Sequence, residues 1–488
     1  MKMRFLYLLA LLFIGFNACK KEETTNTGDR DDATINLTGS LEISDFVWQG
    51  LNQFYYWQEA VPNLADTKDD NTTSYAQFIQ SNPEPDAFFE TLLHDDDRFS
   101  WIVDDYVELE NSLSGIEASN GVEFILLLQC QGCPGVVGFV TYILEGSDAA
   151  NKDIQRGDLF IGVNGTPLTV NNYRSLLFSE NLEYTLNMGE IQGDDFVLNG
   201  TDVALVKEEN FQTNPIQINR VLDIDGQKVG YLMYNQFVGS FDEQLNTVFG
   251  ELKAAGVTDL ILDLRYNPGG SIASCIYLAS MIAGDRGSAV FSKEQWNSKL
   301  MAYWQEENPS RLTDRLTAVM EGGIAINSLN LDRLYVLTTS RSASASELLI
   351  NGLKPHIEVI QIGDTTVGKN VGSITVYDYI DNSGNKNPNH KYAMQPIVLK
   401  IANSEGFSDY TDGLVPDITL RESFSNAGIL GDEQEPLLKR ALDELRGTAT
   451  AKAEFPTLYP IENTLITPKE QLLQRMFVKP IGQKTNQR

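Results

Sequence analysis

The chain has 488 residues, 42% of them hydrophobic, 10% aromatic and 21% charged, which is the composition of a folded protein with room for two or three domains. Its 37 basic and 67 acidic side chains leave a formal net charge of −30, and no Lys or Arg cluster interrupts the acidity, so nucleic acid is excluded as a partner. A zinc site at the Cys130–Cys133 pair is not expected, for want of ligands. Cys130 and Cys133 would need two further ligands, and His94, His356 and His390 are the chain's 3 histidines. No cofactor is expected.

At the N-terminus, Lys2 and Arg4 precede an apolar run over residues 5–16. A membrane-spanning helix needs about 20 residues, so this run is too short. It is followed by Asn17-Ala18-Cys19-Lys20-Lys21. That pattern resembles a bacterial lipoprotein signal, which implies a signal peptide over 1–18 and lipidation of Cys19. The mature protein would then be held to a membrane in the cell envelope, facing the periplasm or the exterior. Ordinary secretion with cleavage nearby is the plainer alternative. Residues 19–40 are almost devoid of apolar side chains and form a polar tether. In an oxidising compartment Cys130 and Cys133 read as a local disulfide, and Cys275, in an apolar helical run, as buried filler.

Residues 41–114 carry Phe46, Trp48, Leu51, Phe54, Tyr55 and Trp57 at helical spacing and predict a small helical N-terminal region. Over 115–206, short apolar runs alternate with Gly and Asn turns, as in a small β domain. Within it, Arg156-Gly157-Asp158-Leu159 and Val163-Asn164-Gly165 resemble elements of a PDZ domain. Such domains bind peptide C-termini by adding the peptide as a strand. The resemblance implies a peptide-binding stretch at Gly121, Val122, Glu123 and Phe124, whose N–H groups would meet the terminal carboxylate. Glu123 stands where a small residue is usual. The plain structural alternative is a β domain that only spaces its neighbours.

From 207 to about 425 strand-like and helical runs alternate. Residues 228–233, 260–264, 334–338 and 358–362 read as strands, and residues 272–283 and the stretch from Ser346 as helices. Repeated βα units predict a layered α/β domain with helices packed on a sheet. Residues 286–330, with Trp296 and Trp304 among many polar residues, interrupt the pattern as a candidate lid. Residues 426–488 form a C-terminal extension with one helical stretch over 435–445.

The chemistry concentrates at three strand-to-helix junctions. Asp263-Leu264-Arg265-Tyr266-Asn267-Pro268-Gly269-Gly270 ends one strand in a turn whose glycines let backbone N–H groups approach a substrate. Ser342-Ala343-Ser344-Ala345-Ser346-Glu347 places a serine at the start of a helix, beside unpaired N–H groups that stabilise negative charge. Val367-Gly368-Lys369 brings a lysine from the next strand. A serine hydrolase that does not need histidine fits these parts.

Together these motifs resemble the C-terminal-processing, or tail-specific, serine peptidases, over roughly residues 115–425 and including Asp412-Gly413-Leu414-Val415-Pro416-Asp417. The resemblance implies a crotonase-like layered core with a preceding or inserted PDZ-like domain, and polypeptide substrates recognised near their C-termini. It makes Ser344 the nucleophile, Lys369 the general base, and the N–H groups of Ala345 and of Gly269 or Gly270 the oxyanion hole. A free lysine is about one part in 2500 neutral at pH 7, and lowering its pKa by about three units costs ~4 kcal/mol, which burial is expected to supply. Where the family often carries a glutamine that orients the lysine, this chain has Ser373. The alternative functions are a peptide-binding scaffold on an inactive peptidase core and, less favoured, an esterase or acyltransferase.

Overall fold

The computed structural model describes residues 37–381, 383–423, 426–449, 464–465 and 476–478. Cys19, the signal peptide and most of the tether lie outside them. Among the described residues no helix is long and apolar enough to cross a membrane.

The aromatic spacing near the N-terminus produces the helix Ser40–Phe54, which buries Phe46, Val47, Trp48 and Leu51. It is followed by Thr72–Gln80, capped by Asn71 Oδ1 on the Ser74 N–H at 2.9 Å, and by Pro85–Thr91. These helices have no separate core. Phe46, Leu51, Phe88 and Phe89 share one continuous apolar cluster with Leu232, Phe249, Leu278 and Leu349 further along the chain.

The β-rich segment folds as an antiparallel sheet whose strands include Val122–Leu128, Val136–Ile143, Leu159–Val163, Glu183–Gln192 and Asp195–Val206. It closes its own core around Leu126, Val140, Phe160 and Leu186. Ile116–Ser119 pairs antiparallel with Glu208–Gln212, so the chain enters and leaves this segment side by side. Cys130 and Cys133 are joined by a disulfide in the turn between its first two long strands.

The third part is built on a six-stranded sheet in the order Ile216–Ile224, Gln227–Tyr234, Asp259–Asp263, Arg333–Thr338, Glu358–Gly363, Ile418–Thr419. The first pair is antiparallel and the rest are parallel. Strand alternation sorts its side chains onto two faces. Leu232, Leu260, Leu262 and Val336 meet the helices Asp242–Ala254, Ile272–Ala283 and Ala345–Leu353, while Tyr231, Met233, Ile261 and Leu337 meet the helix Pro436–Leu445. Helices on both faces make this a mixed α/β layered core.

The turns after Asp263, Thr338 and Gly363 leave the same ends of three adjacent parallel strands. The carboxyl ends of parallel strands are where such sheets bind ligands. All three motifs singled out in the sequence therefore converge at one edge.

A second sheet runs in the order Gly270–Ser271, Met476–Phe477, Val371–Ser373, Ile397–Asn403, Val290–Trp296, Thr313–Arg315. Residues 286–330, expected as a lid, thus supply two strands of this sheet, and Trp296 is buried in the main core. The polar residues that suggested a cover lie in and around the helix Ser298–Glu307, whose leucine Leu300 is also buried.

Candidate active site

The Ser-Ala-Ser-Ala-Ser motif divides its labour among its serines. Ser342 Oγ donates to the Leu264 carbonyl at 2.8 Å and Ser346 Oγ to the Asn267 carbonyl at 3.0 Å. The Ala343 N–H also reaches the Asn267 carbonyl, at 3.1 Å. The outer serines thereby fasten the motif to the glycine turn. Ser344 sits between them at φ 63° and ψ −112°, a region a side chain rarely adopts, as N-cap of the nine-residue helix Ala345–Leu353. Its Oγ is fully buried and has no hydrogen-bond partner among the described residues.

Glu347 is the organising group of the site, although no motif singled out above includes it as a functional residue. Its Oε2 accepts the N–H of Ser344 at 2.7 Å and the N–H of Lys369 at 2.8 Å. Its Oε1 accepts Thr366 Oγ1 at 2.5 Å and the Gly368 N–H at 2.6 Å. Burial raises the Glu347 pKa above the usual glutamate value, and these four donors pull it partly back. One signal in the sequence points to it: a glutamate three residues after a helix-starting serine is the mark of a capping box, in which the acid reaches back to the serine N–H.

Lys369 is 1% exposed, and its Nζ lies 4.9 Å from the centroid of the Phe99 ring. The preceding residue, Gly368, has φ +90°, and a Cβ there would fall 2.2 Å from the Thr411 carbonyl oxygen. Arg98 Nη2 donates to the carbonyls of Gly368 and Thr411, each at 3.0 Å. Arg98 and Phe99 come from the N-terminal region, some 270 residues away, and no local sequence signal marks either of them. Ser373 Oγ, at the position where glutamine was expected, donates to Gln395 Oε1 at 2.8 Å, so an amide from a neighbouring strand stands beside it.

The glycine turn needs one correction. The Gly269 N–H is held by Asn267 Oδ1 at 2.8 Å, so it is not available to an oxyanion. Gly270, at φ +139°, remains, together with Ala345 at the first turn of the helix, where N–H groups have no intrahelical partner. A Cβ on Gly270 would lie 2.2 Å from the Phe237 carbonyl oxygen, which requires glycine there. Cys275, read as filler, is buried with its Sγ 3.3 Å from the Ala345 carbonyl.

The stretch Gly121, Val122, Glu123, Phe124 also differs from expectation. The Gly121 N–H donates to Ser119 Oγ at 3.0 Å and the Val122 N–H to Asn120 Oδ1 at 3.1 Å, so both donors expected to capture a carboxylate are engaged locally. Glu123 and Phe124 instead line an open cleft shared with Tyr142, Tyr266, Pro268 and Arg341, between the β-rich segment and the glycine turn.

Beneath that turn lies a buried ionic network. Arg265, fully buried, pairs with Asp263 at 2.8 Å, Glu435 at 2.7 Å and Glu422 at 3.1 Å. Arg156, from the β-rich segment, reaches Glu422 at 2.7 Å and Tyr266 Oη at 2.6 Å. Burial alone would raise the Glu422 carboxyl, but the two guanidinium groups outweigh it and its pKa is lowered.

Residues 42–101 match the peptidase S41 N-terminal domain and residues 228–419 match peptidase family S41. A carboxyl-terminal-processing protease of Picosynechococcus is 23% identical over 241 residues, which is 49% of this chain and 50% of the relative. A protein of Staphylococcus epidermidis described as a probable CtpA-like serine protease is 24% identical over 282 residues, 56% of this chain and 51% of the relative. The chain thus spans about half the length of the curated relatives it matches. In fold it is similar to a Bacteroides fragilis protein assigned to the S41 proteases, with a TM-score of 0.62 at 24% identity, covering 83% of this chain and 98% of that one. With Phe99 from the first matched segment lying against Lys369 from the second, and each segment matching its own part of one family, the chain belongs to peptidase family S41.

Proposed function

We propose that the chain is a serine peptidase that cleaves polypeptides near their C-termini, with Ser344 as nucleophile and Lys369 as general base. The observation that carries this reading is the shared carboxylate. Glu347 Oε2 holds the N–H groups of both residues, so a serine and a lysine far apart in sequence are fixed to one atom. In the reaction the neutral Lys369 amine takes the Ser344 proton as Oγ attacks the peptide carbonyl carbon. The ammonium then returns a proton to the leaving amine, and water clears the acyl-enzyme. The N–H groups of Ala345 and Gly270 are the donors for the oxyanion.

The Ser344–Lys369 hydrogen bond is not made in this state, and catalytic hydrogen bonds often tighten only when substrate is present. The burial of Lys369 supports its role, because removal from water disfavours the charged form. The β-rich segment is read as a PDZ-like module that presents peptide to the core, and Cys19 as a lipid anchor on an exported protein.

A serine-directed phosphonate should label Ser344, and Ser344→Ala should abolish both labelling and peptide cleavage. Cleavage that persists in Ser344→Ala removes the serine from its role. Tight binding of C-terminal peptides without turnover by the unmutated protein would favour the scaffold reading, for which the unmade Ser344–Lys369 bond and Ser373 speak. Incorporation of labelled fatty acid, lost in Cys19→Ser, tests the anchor.

A further inference from the structure

The last described residues of the chain lie in both places where a peptide would bind. Met476–Phe477 forms a strand between Gly270–Ser271, to which it is parallel, and Val371–Ser373. The Val478 N–H donates to the Ser373 carbonyl at 3.2 Å. On the far side of the glycine turn, Phe237 takes the Gly269 carbonyl and the Ser271 N–H, each at 2.9 Å. Backbone groups of successive strand residues point to opposite sides, so the Gly270 N–H faces the Met476 strand. The tail strand therefore runs between the remaining glycine donor of the oxyanion hole and the strand that begins two residues after Lys369.

A second contact arises independently. Thr464–Leu465 pairs antiparallel with Leu126 and Leu127, on the outer edge of the strand that follows Gly121, and Leu465 packs on the apolar core of the β-rich segment. Strand addition at that edge is how a PDZ-like module holds a peptide.

We propose that these two strand slots are binding sites for extended polypeptide, and that the chain's own C-terminal segment is their resident occupant, competing with substrate. The inference rests on the peptidase reading and extends it to the substrate path. Ser344 and Lys369 are both closed to solvent, and on this proposal departure of the tail strand from Gly270 and Ser373 opens the way to them.

The test uses the full chain with Val478→Pro, which removes the N–H given to Ser373. Release of the strand should raise kcat/KM on an external peptide, and the rate of phosphonate labelling at Ser344, at least tenfold. A synthetic peptide of residues 470–482 should reverse both gains. Unchanged rates with an unchanged Tm would overturn the proposal. So would lost activity with a lowered Tm, which would make the strand a structural member of the sheet. Binding of the fluorescent 470–482 peptide is measured separately, in Ser344→Ala and in Ser344→Ala with Val478→Pro. Affinity at least tenfold tighter in the double variant supports occupancy even if no form hydrolyses peptide, and equal affinity overturns it. Absence of hydrolysis and labelling in every form defeats the peptidase reading alone.

Discussion

Ser344 and Lys369 donate their backbone N–H groups to the same oxygen atom, Glu347 Oε2, at 2.7 and 2.8 Å. The proposed nucleophile and base are thus positioned through one carboxylate whose other oxygen is taken by Thr366 and Gly368. Glutamine in its place would turn an NH2 group toward one of these donor pairs. Glu347→Gln is expected to lower kcat by roughly 100-fold, the scale of a 1 Å misplacement, with the KM for peptide little changed. The pKa of Glu347 is raised, so protonation begins above the ordinary glutamate range. The acid limb of the rate profile should therefore start above pH 4.5 and be altered in the variant.

Lys369→Arg puts a permanently charged guanidinium in place of an amine that can be deprotonated. Peptide cleavage should fall by about 10²–10⁴-fold, the usual contribution of a general base. Phosphonate labelling should slow in step, and a circular dichroism spectrum should match the parent.

Gly368→Ala would force a side chain into φ +90° and against the Thr411 carbonyl. The expected loss is about 2 kcal/mol or more of stability in urea unfolding, with activity falling as the Lys369 N–H is displaced.

Arg265→Met would strand Asp263 and Glu435 in the interior. Removing one partner of a buried ion pair costs about 3–5 kcal/mol, so the variant should unfold at markedly lower denaturant. Replacement of the whole group by apolar residues would cost far less.

Glu294 supplies a pH signature. Burial, reinforced by Asp314, pushes its pKa up to about 8, although Arg311 and Trp296 donate to its Oε2. A folded-state pKa above the unfolded value means that the contribution is present below pH 4.5 and lost as pH rises toward 8. Stability should decline over that window by at most ~1.4 kcal/mol per pH unit, and Glu294→Gln should flatten the decline.

What the sequence made legible follows from the range of the interactions involved. The apolar run over residues 272–283 predicts a helix and forms the helix Ile272–Ala283, since an apolar run between Gly-containing turns is a local signal. The three chemical motifs were likewise visible as strand-to-turn junctions. The strand Met476–Phe477 was not, because two residues carry no periodicity and their pairing is set by Gly270 and Ser373. Phe99 and Arg98 carry no local signal for the same reason: their meaning lies in the distant amine and carbonyls they touch. The engagement of the Gly269 N–H by Asn267 could not be foreseen from composition, since it depends on one side-chain rotamer.

The placement of Arg98 and Phe99 bears on how the protein could be shortened. A fragment holding only residues 228–419 would keep Ser344 and Lys369 yet remove the Phe99 ring from beside the amine and leave the carbonyls of Gly368 and Thr411 without their guanidinium. The segment just after the N-terminal helices therefore closes one side of the proposed site, and a fragment meant to test that proposal has to begin upstream of it.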